Sequence, residues 1–254
     1  MSSGPLSILD YRQPVEFRMG EVIVRTWNVL SRHFLTFIVL VGIAELIPLL
    51  VTLYQGYAIS PLSNSRTTIL VAGMVAGLVQ FILTSFAQAI VVFAAFQDLR
   101  GRQVSASESF RQGVSRLFPV IVASILTGLL VGIGYVLCLV PGLIAMAAMA
   151  VVLPACVVEQ LGPIQSMSRS SDLTTGHWWP IIGVGFAWLV ITLLVSSAIQ
   201  STMPGVVALP KQLATWGWQV VSGSFSSVYA AILYHDLRAV RDGIGIDEIA
   251  AVFD

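Results

Sequence analysis

Apolar runs long enough to cross a bilayer alternate along this chain with short, arginine-bearing polar segments, and the alternation occurs three times. The polar segments begin near Gly20, Ser105 and Gly162. The apolar units behind them end at Phe96-Gln97-Asp98-Leu99-Arg100, at Val157-Val158-Glu159 and at Tyr234-His235-Asp236-Leu237-Arg238. A spanning helix needs about 20 predominantly apolar residues at 1.5 Å each. Six segments read as spans: Phe34–Tyr54, Thr67–Phe96, Pro119–Leu139, Leu143–Val158, which is short, Trp178–Ile199 and Thr215–Leu233. The second exceeds what the hydrocarbon core requires, so it tilts or protrudes. Val140-Pro141-Gly142 reads as a tight turn, and Pro154 as a kink near the end of the fourth span. Alternating apolar and polar positions are absent, which argues for helices and against a barrel as the way to satisfy the backbone in lipid.

The polar segments carry helical periodicity of their own. Arg18, Glu21, Arg25, Asn28 and Arg32 recur every three or four residues, with Val15, Met19, Val22, Ile23, Trp27 and Leu30 opposite. Ser105 and Glu108 have capping-box spacing before Arg111 and Ser115. Gly162-Pro163 starts the third helix and Gly176 ends it. Such helices lie in the headgroup plane, either as connectors that fix topology or as a collar that contacts lipid headgroups or a partner. The predicted fold class is therefore all-α: a polytopic membrane bundle of about six spans, arranged as three quasi-repeated hairpins, each preceded by a cytoplasmic interfacial amphipathic helix.

The chain reads as one membrane domain over 1–254: an N-terminal segment 1–33, a six-span bundle 34–241 with interfacial helices near 105–117 and 163–175, and a tail 242–254. The arginines flank one side. Arg12, Arg18, Arg25 and Arg32 precede the first span, Arg100, Arg102, Arg111 and Arg116 lie between the second and third, Arg169 between the fourth and fifth, and Arg238 and Arg241 after the sixth. Arg66 and Lys211 alone lie on the other side. The positive-inside rule places both termini in the cytoplasm of a multi-pass inner-membrane protein. No cleavable leader is visible, so the first span is expected to act as its own insertion signal.

Composition agrees. Of 254 residues, 56% are hydrophobic and 10% charged, against about 25% charged in soluble domains, and the net charge of +0 gives no reason to expect a nucleic-acid partner. Candidate chemistry lies in the polar residues of the spans. Glu45 is the one acidic side chain well inside a span, one turn before Pro48, and a charge there points to function. It reads either as a proton or cation site or as a glutamate hydrogen-bonded to Gln80 or Gln88. Gln80, Thr84 and Gln88 form a polar stripe on one face, suited to interhelical packing or to a substrate path. Glu159, Arg169 and His177 are a candidate polar cluster under the third collar helix, and Arg25 and Arg111 complete a candidate interfacial lipid or partner site. The histidines lack metal-ligand spacing, so neither a metal nor a cofactor is expected. Cys138 and Cys156 lie too far apart for a disulfide and read as apolar fillers. Gly73/Gly77, Gly128/Gly132 and Gly223/Ser227 have the spacing of close helix packing.

The stretch Leu153-Pro154-Ala155-Cys156-Val157-Val158-Glu159, followed by Gly162-Pro163-Ile164, Arg169-Ser170 and Leu173-Thr174-Thr175-Gly176-His177-Trp178-Trp179, resembles a recurring block of the glycerophosphodiester phosphodiesterase membrane-domain family of bacterial polytopic proteins. The close at Tyr234-His235-Asp236-Leu237-Arg238, with Gly243 and Asp247, is similar to that family's ending. The likeness runs from about Gly20 to Asp247 and implies a membrane bundle. It does not imply hydrolysis, because a catalytic barrel needs roughly 250 residues of its own. Two functions are therefore expected. The first is a non-enzymatic membrane protein that binds phospholipid, scaffolds a membrane partner or forms a homo-oligomer. The alternative is a transporter or channel component, with Glu45 and the Gln80/Thr84/Gln88 stripe lining a polar path.

Overall fold

The computed structural model describes residues 19–54, 66–99, 111, 114–202 and 209–242. Among them the chain is helical throughout, with no strand. The helices are α1 (Met19–Arg32), α2 (Phe34–Tyr54), α3 (Arg66–Leu99), α4 (Leu117–Leu137), α5 (Leu139–Ala148), α6 (Val152–Val158), α7 (Pro163–Thr174), α8 (Trp178–Thr202) and α9 (Leu209–Asp242). Five segments are long and apolar enough to cross a membrane: Phe34–Leu53, Gly73–Gln97, Leu117–Leu137, Leu139–Val158 and Trp178–Thr202. The expected second collar helix falls mostly outside the described residues, as do Gly243 and Asp247.

The sixth expected span lies within α9, a helix of 34 residues and so about 51 Å long at 1.5 Å per residue. Gln219, Ser222, Ser224, Ser226 and Ser227 lower its hydropathy. It tolerates them because it is packed by protein: Val220, Ser224, Ser227, Val228, Ala231–Tyr234 and Leu237 are all buried, and α1, α2, α3 and α8 lie against it. Ser224 and Ser227 return their hydroxyls to Val220 O and Gly223 O, one turn back, so neither exposes an unmet donor.

The α1–α2 junction is a bend without a loss of pairing. His33 N donates to Val29 O at 3.2 Å and Phe37 N to His33 O at 3.1 Å, so i→i−4 bonds run through the single intervening residue. α1 seats Val22, Thr26, Val29 and Leu30 on the bundle, while Ile23 and Trp27 of the predicted apolar face are exposed.

The fourth span departs from expectation at two points. The turn after α4 is made by Cys138 alone, in extended conformation at φ −171 and ψ 156, and Val140, Pro141 and Gly142 already belong to the first turn of α5. The break comes at Met149–Val151, upstream of Pro154. Pro154 has no N–H for the Ala150 carbonyl and its ring crowds that carbonyl, so the helix must end before it and restart with the proline in its first turn. Two i→i−3 bonds, Ala150 N to Ala147 O (3.2 Å) and Val152 N to Met149 O (3.3 Å), bridge the gap. α7 completes the repair. Ser170 Oγ donates to Ala148 O at 2.7 Å and accepts from Val151 N at 3.2 Å, with all three groups buried. The helix expected to lie over the bundle therefore inserts the Ser166–Ser170–Thr174 face into it, each residue of that face being fully buried.

The core is not evenly distributed. Its buried apolar side chains, among them Phe37, Ala89–Val92, Val120, Val151, Val152, Ala155–Val157 and Ile232–Tyr234, gather in the half of the bundle that bears Arg25, Arg169 and Arg238. In the opposite half, Leu50, Met74, Leu137 and Leu194 are exposed and the helices part around cavities. Of the three small-residue pairs, only Gly223/Ser227 meets a neighbour: a Cβ at Gly223 comes within 3.6 Å of Val41. Gly73, Gly77, Gly128 and Gly132 face open space, and the closest backbone approach is Gly134 against Gly142.

Candidate functional site

Helices α2 and α3 run antiparallel, which brings Glu45, one turn before Pro48, level with the first two members of the stripe on α3. Gln80 Nε2 donates to Glu45 Oε2 at 3.0 Å, and Thr84 Oγ1 donates to Glu45 Oε1 at 3.1 Å. Gln80 Nε2 also lies 3.2 Å from Thr84 Oγ1, so the three side chains close a ring of hydrogen bonds. Glu45 is only 4% exposed. Each carboxyl oxygen accepts one bond, which leaves further acceptor capacity on a side chain that borders the space between the helices.

That space is a cavity of about 490 Å³ between α2, α3, α4, α5, α8 and α9. Glu45, Gln80, Thr84 and Gln88 line one wall, and Gln219, Ser222 and Ser226 of α9 line the other. Trp188 fixes part of this second wall: its Nε1 donates to Ser226 Oγ at 3.1 Å and its ring stacks on Phe225 at a centroid distance of 4.2 Å. A second cavity of about 460 Å³ continues toward the far end of the bundle, lined by Thr52, Gln200, Lys211 and Gln212, and shares Gln80 and Gln219 with the first. The volumes suit small molecules, for which pockets of about 300–1,000 Å³ are usual. Glu45 and the three stripe residues singled out in the sequence are thus brought to one cavity. Gln200 of α8 and Gln212 and Gln219 of α9 were missed; the last two lie seven apart, on one face of their helix, and that spacing could have found them.

The other candidates gather at the arginine end. Arg169 Nε donates to both oxygens of Glu159, at 3.0 and 3.2 Å, and its Nη groups donate to Asp242. Tyr234 OH donates to Glu159 Oε1 at 2.5 Å. Arg238 Nε lies 3.9 Å from Glu159 and 3.4 Å from Asp242. The Asp242 carboxylate, chiefly through its hydrogen bonds with Arg169, holds the guanidinium pKa above its ordinary value, and Arg169 in turn pulls the Asp242 carboxyl below its own. Sequence reading did not assign Tyr234, Arg238 or Asp242 to this cluster, since Tyr234 lies 75 residues from Glu159 and Asp242 lies 73 from Arg169. His177 lies at the α7–α8 corner, where its amide donates to Thr174 O at 2.9 Å. Arg25 binds Asp236 of α9 at 3.0 Å, tying α1 to the bundle, and Arg111 is exposed. Each nitrogen of the Arg169 guanidinium bonds a carboxylate, so the cluster joins α6, α7 and α9 as a latch.

No curated protein and no solved structure matches the chain. A family model, that of a domain of unknown function designated DUF7847, matches residues 62–237, more than half of the chain. The matched segment takes in Gln80, Thr84, Gln88, Glu159, Arg169 and Tyr234, while α1, α2 and Glu45 precede it. The chain belongs to the DUF7847 family.

Proposed function

We propose that this chain is a non-enzymatic, multi-pass membrane protein of the transporter or channel class, and that the Glu45 cavity binds a small polar or cationic solute. One observation carries the reading: a buried carboxylate at mid-span depth lines a cavity that continues, through shared glutamines, toward one end of the bundle. Ionisable groups inside a bilayer are costly and mark ion or substrate paths. Here the carboxyl group is bonded by the neutral donors Gln80 and Thr84 and, among the described residues, by no cationic side chain, so a cationic or polar solute meets no bonded counter-ion there. α9 serves as the sixth span, the arginine end faces the cytoplasm by the positive-inside rule, and the cavities open outward. The membrane bundle implied by the likeness to the phosphodiesterase membrane domain suits this role.

The test is flux in proteoliposomes. Proton or alkali-cation movement reported by an entrapped dye should appear with the intact chain and vanish in Glu45→Gln. The lipid-binding or scaffolding reading gains instead if no flux occurs and phospholipid or a partner co-purifies stoichiometrically, dependent on Arg25 and Arg111.

A further inference from the structure

A third cavity, of about 370 Å³, lies between α3, α4 and the break in the fourth span. Its walls include Thr84, Ser85 and Gln88 on one side and Ser124, Thr127 and Gly128 on the other, with Met149 and Leu153 behind. Thr84 and Gln88 also line the Glu45 cavity, so the two spaces share a wall.

The hydroxyls of α4 set this crevice apart. Serines and threonines in helices ordinarily return their hydroxyl to the carbonyl one turn back. Thr52, Thr192, Thr215, Ser224 and Ser227 all do so here. Ser124 Oγ and Thr127 Oγ1 do not: both are buried and neither makes a hydrogen bond. They lie three apart, on one face of α4, and line the crevice together. Two unmet hydroxyls in a low-dielectric interior are a standing cost, and a ligand that bonds to them removes it.

The mouth indicates where that ligand comes from. Phe81 and Gly128 line the crevice and are exposed on the lipid-facing side of α3 and α4, and a Cβ built on Gly128 meets nothing within 4 Å. The remaining wall, with Val131, Met149, Val152 and Leu153, is apolar. We infer that the crevice is a lateral binding site for a bilayer-dissolved amphiphile with a neutral hydrogen-bonding end and an apolar tail. The end group meets Ser124 and Thr127, the tail leaves past Phe81 and Gly128, and the bound molecule abuts Thr84 and Gln88 from behind the Glu45 cavity. This site does not depend on the transport reading, since the Ser124 and Thr127 hydroxyls that define it lie outside the Glu45 ring.

The test uses the full chain in phosphatidylcholine nanodiscs and two photoactivatable probes: a long-chain primary alcohol with a diazirine near its hydroxyl, and an alkane of equal length with the diazirine at the same carbon. Mass spectrometry maps the adducts. The alcohol should label the α3–α4 crevice, be displaced by unlabelled alcohol, and exceed the alkane there. Ser124→Ala/Thr127→Val should lower crevice labelling about ten-fold, the loss of two modest hydrogen bonds, while thermal stability is kept or raised. Gly128→Leu, which fills the mouth, should abolish labelling even if the double variant fails to fold. Equal labelling by the alkane, adducts spread evenly over all lipid-facing helices, or labelling unchanged in the folded variants would overturn the site.

Discussion

The stitch between α7 and the broken fourth span gives the sharpest stability prediction. Ser170→Ala removes one hydroxyl and orphans two buried backbone groups, the Val151 N–H and the Ala148 carbonyl. Leaving a buried polar group unmet costs about 1–3 kcal/mol. Ala148 O retains a weak bond from Thr174 Oγ1 at 3.4 Å, so the full penalty falls mainly on Val151. The total is then about 2–4 kcal/mol, or a fall in melting temperature of roughly 4–16 °C for a chain of this size. Ser168, on the exposed face of the same helix, is the control, and Ser168→Ala should stay within about 0.5 kcal/mol of the parent. Thermal unfolding in detergent, followed by tryptophan fluorescence, reads both variants. If Ser170→Ala melts with Ser168→Ala, the break is not held by α7 and the account of that helix is wrong.

Other outcomes follow from the same geometry. Glu159→Gln should cost about 1–3 kcal/mol in detergent stability, because it weakens the bonds from Arg169 and Tyr234 together; an unchanged melting curve would show that the latch is not structural. Asp242 has a folded-state pKa below its ordinary 3.8, so its contribution is complete above that value and fades as pH falls through the lower folded one. Acid titration of stability should therefore be flatter below about pH 4 in Asp242→Asn than in the parent. Gly142→Ala places a methyl 2.5 Å from the Tyr135 ring and should destabilise by about 1–3 kcal/mol, whereas Gly132→Ala, facing open space, should be neutral or stabilising; paired melts decide between them.

Much of this architecture is legible in the chain because bilayer thickness imposes a length and proline and glycine impose ends. Phe34–Tyr54 is both the apolar run and the helix α2. Gly162-Pro163 opens α7, and Gly176, at φ +90, follows its end. Of the two partners expected for Glu45, Gln80 bonds it, since an antiparallel hairpin sets residues of similar depth side by side, while the second bond comes from Thr84 and not from Gln88. What the chain hides depends on partners distant in sequence. Nothing near Glu159 announces Tyr234 or Asp242. The break falls before Pro154, because the proline disables the turn that precedes it. The GxxxG spacing at Gly73 and Gly128 misleads about packing within the chain: spacing says that a close approach is possible, and only the fold says whether a helix takes it up.

The central claim is that the Glu45 cavity is reached from the Lys211 end and sealed by the packed core at the arginine end. Single cysteines at Gln219, which lines both polar cavities, and at Val228, which is fully buried in the core, test it in a Cys138→Ser background. A small membrane-impermeant thiol reagent is applied from each side of sealed, oriented vesicles. The account predicts that Gln219→Cys reacts from the Lys211 side only, that a saturating small cation slows the reaction in the parent but not in Glu45→Gln, and that Val228→Cys stays unreactive from both sides. An unreactive Gln219→Cys, or equal labelling from the arginine side, would contradict it.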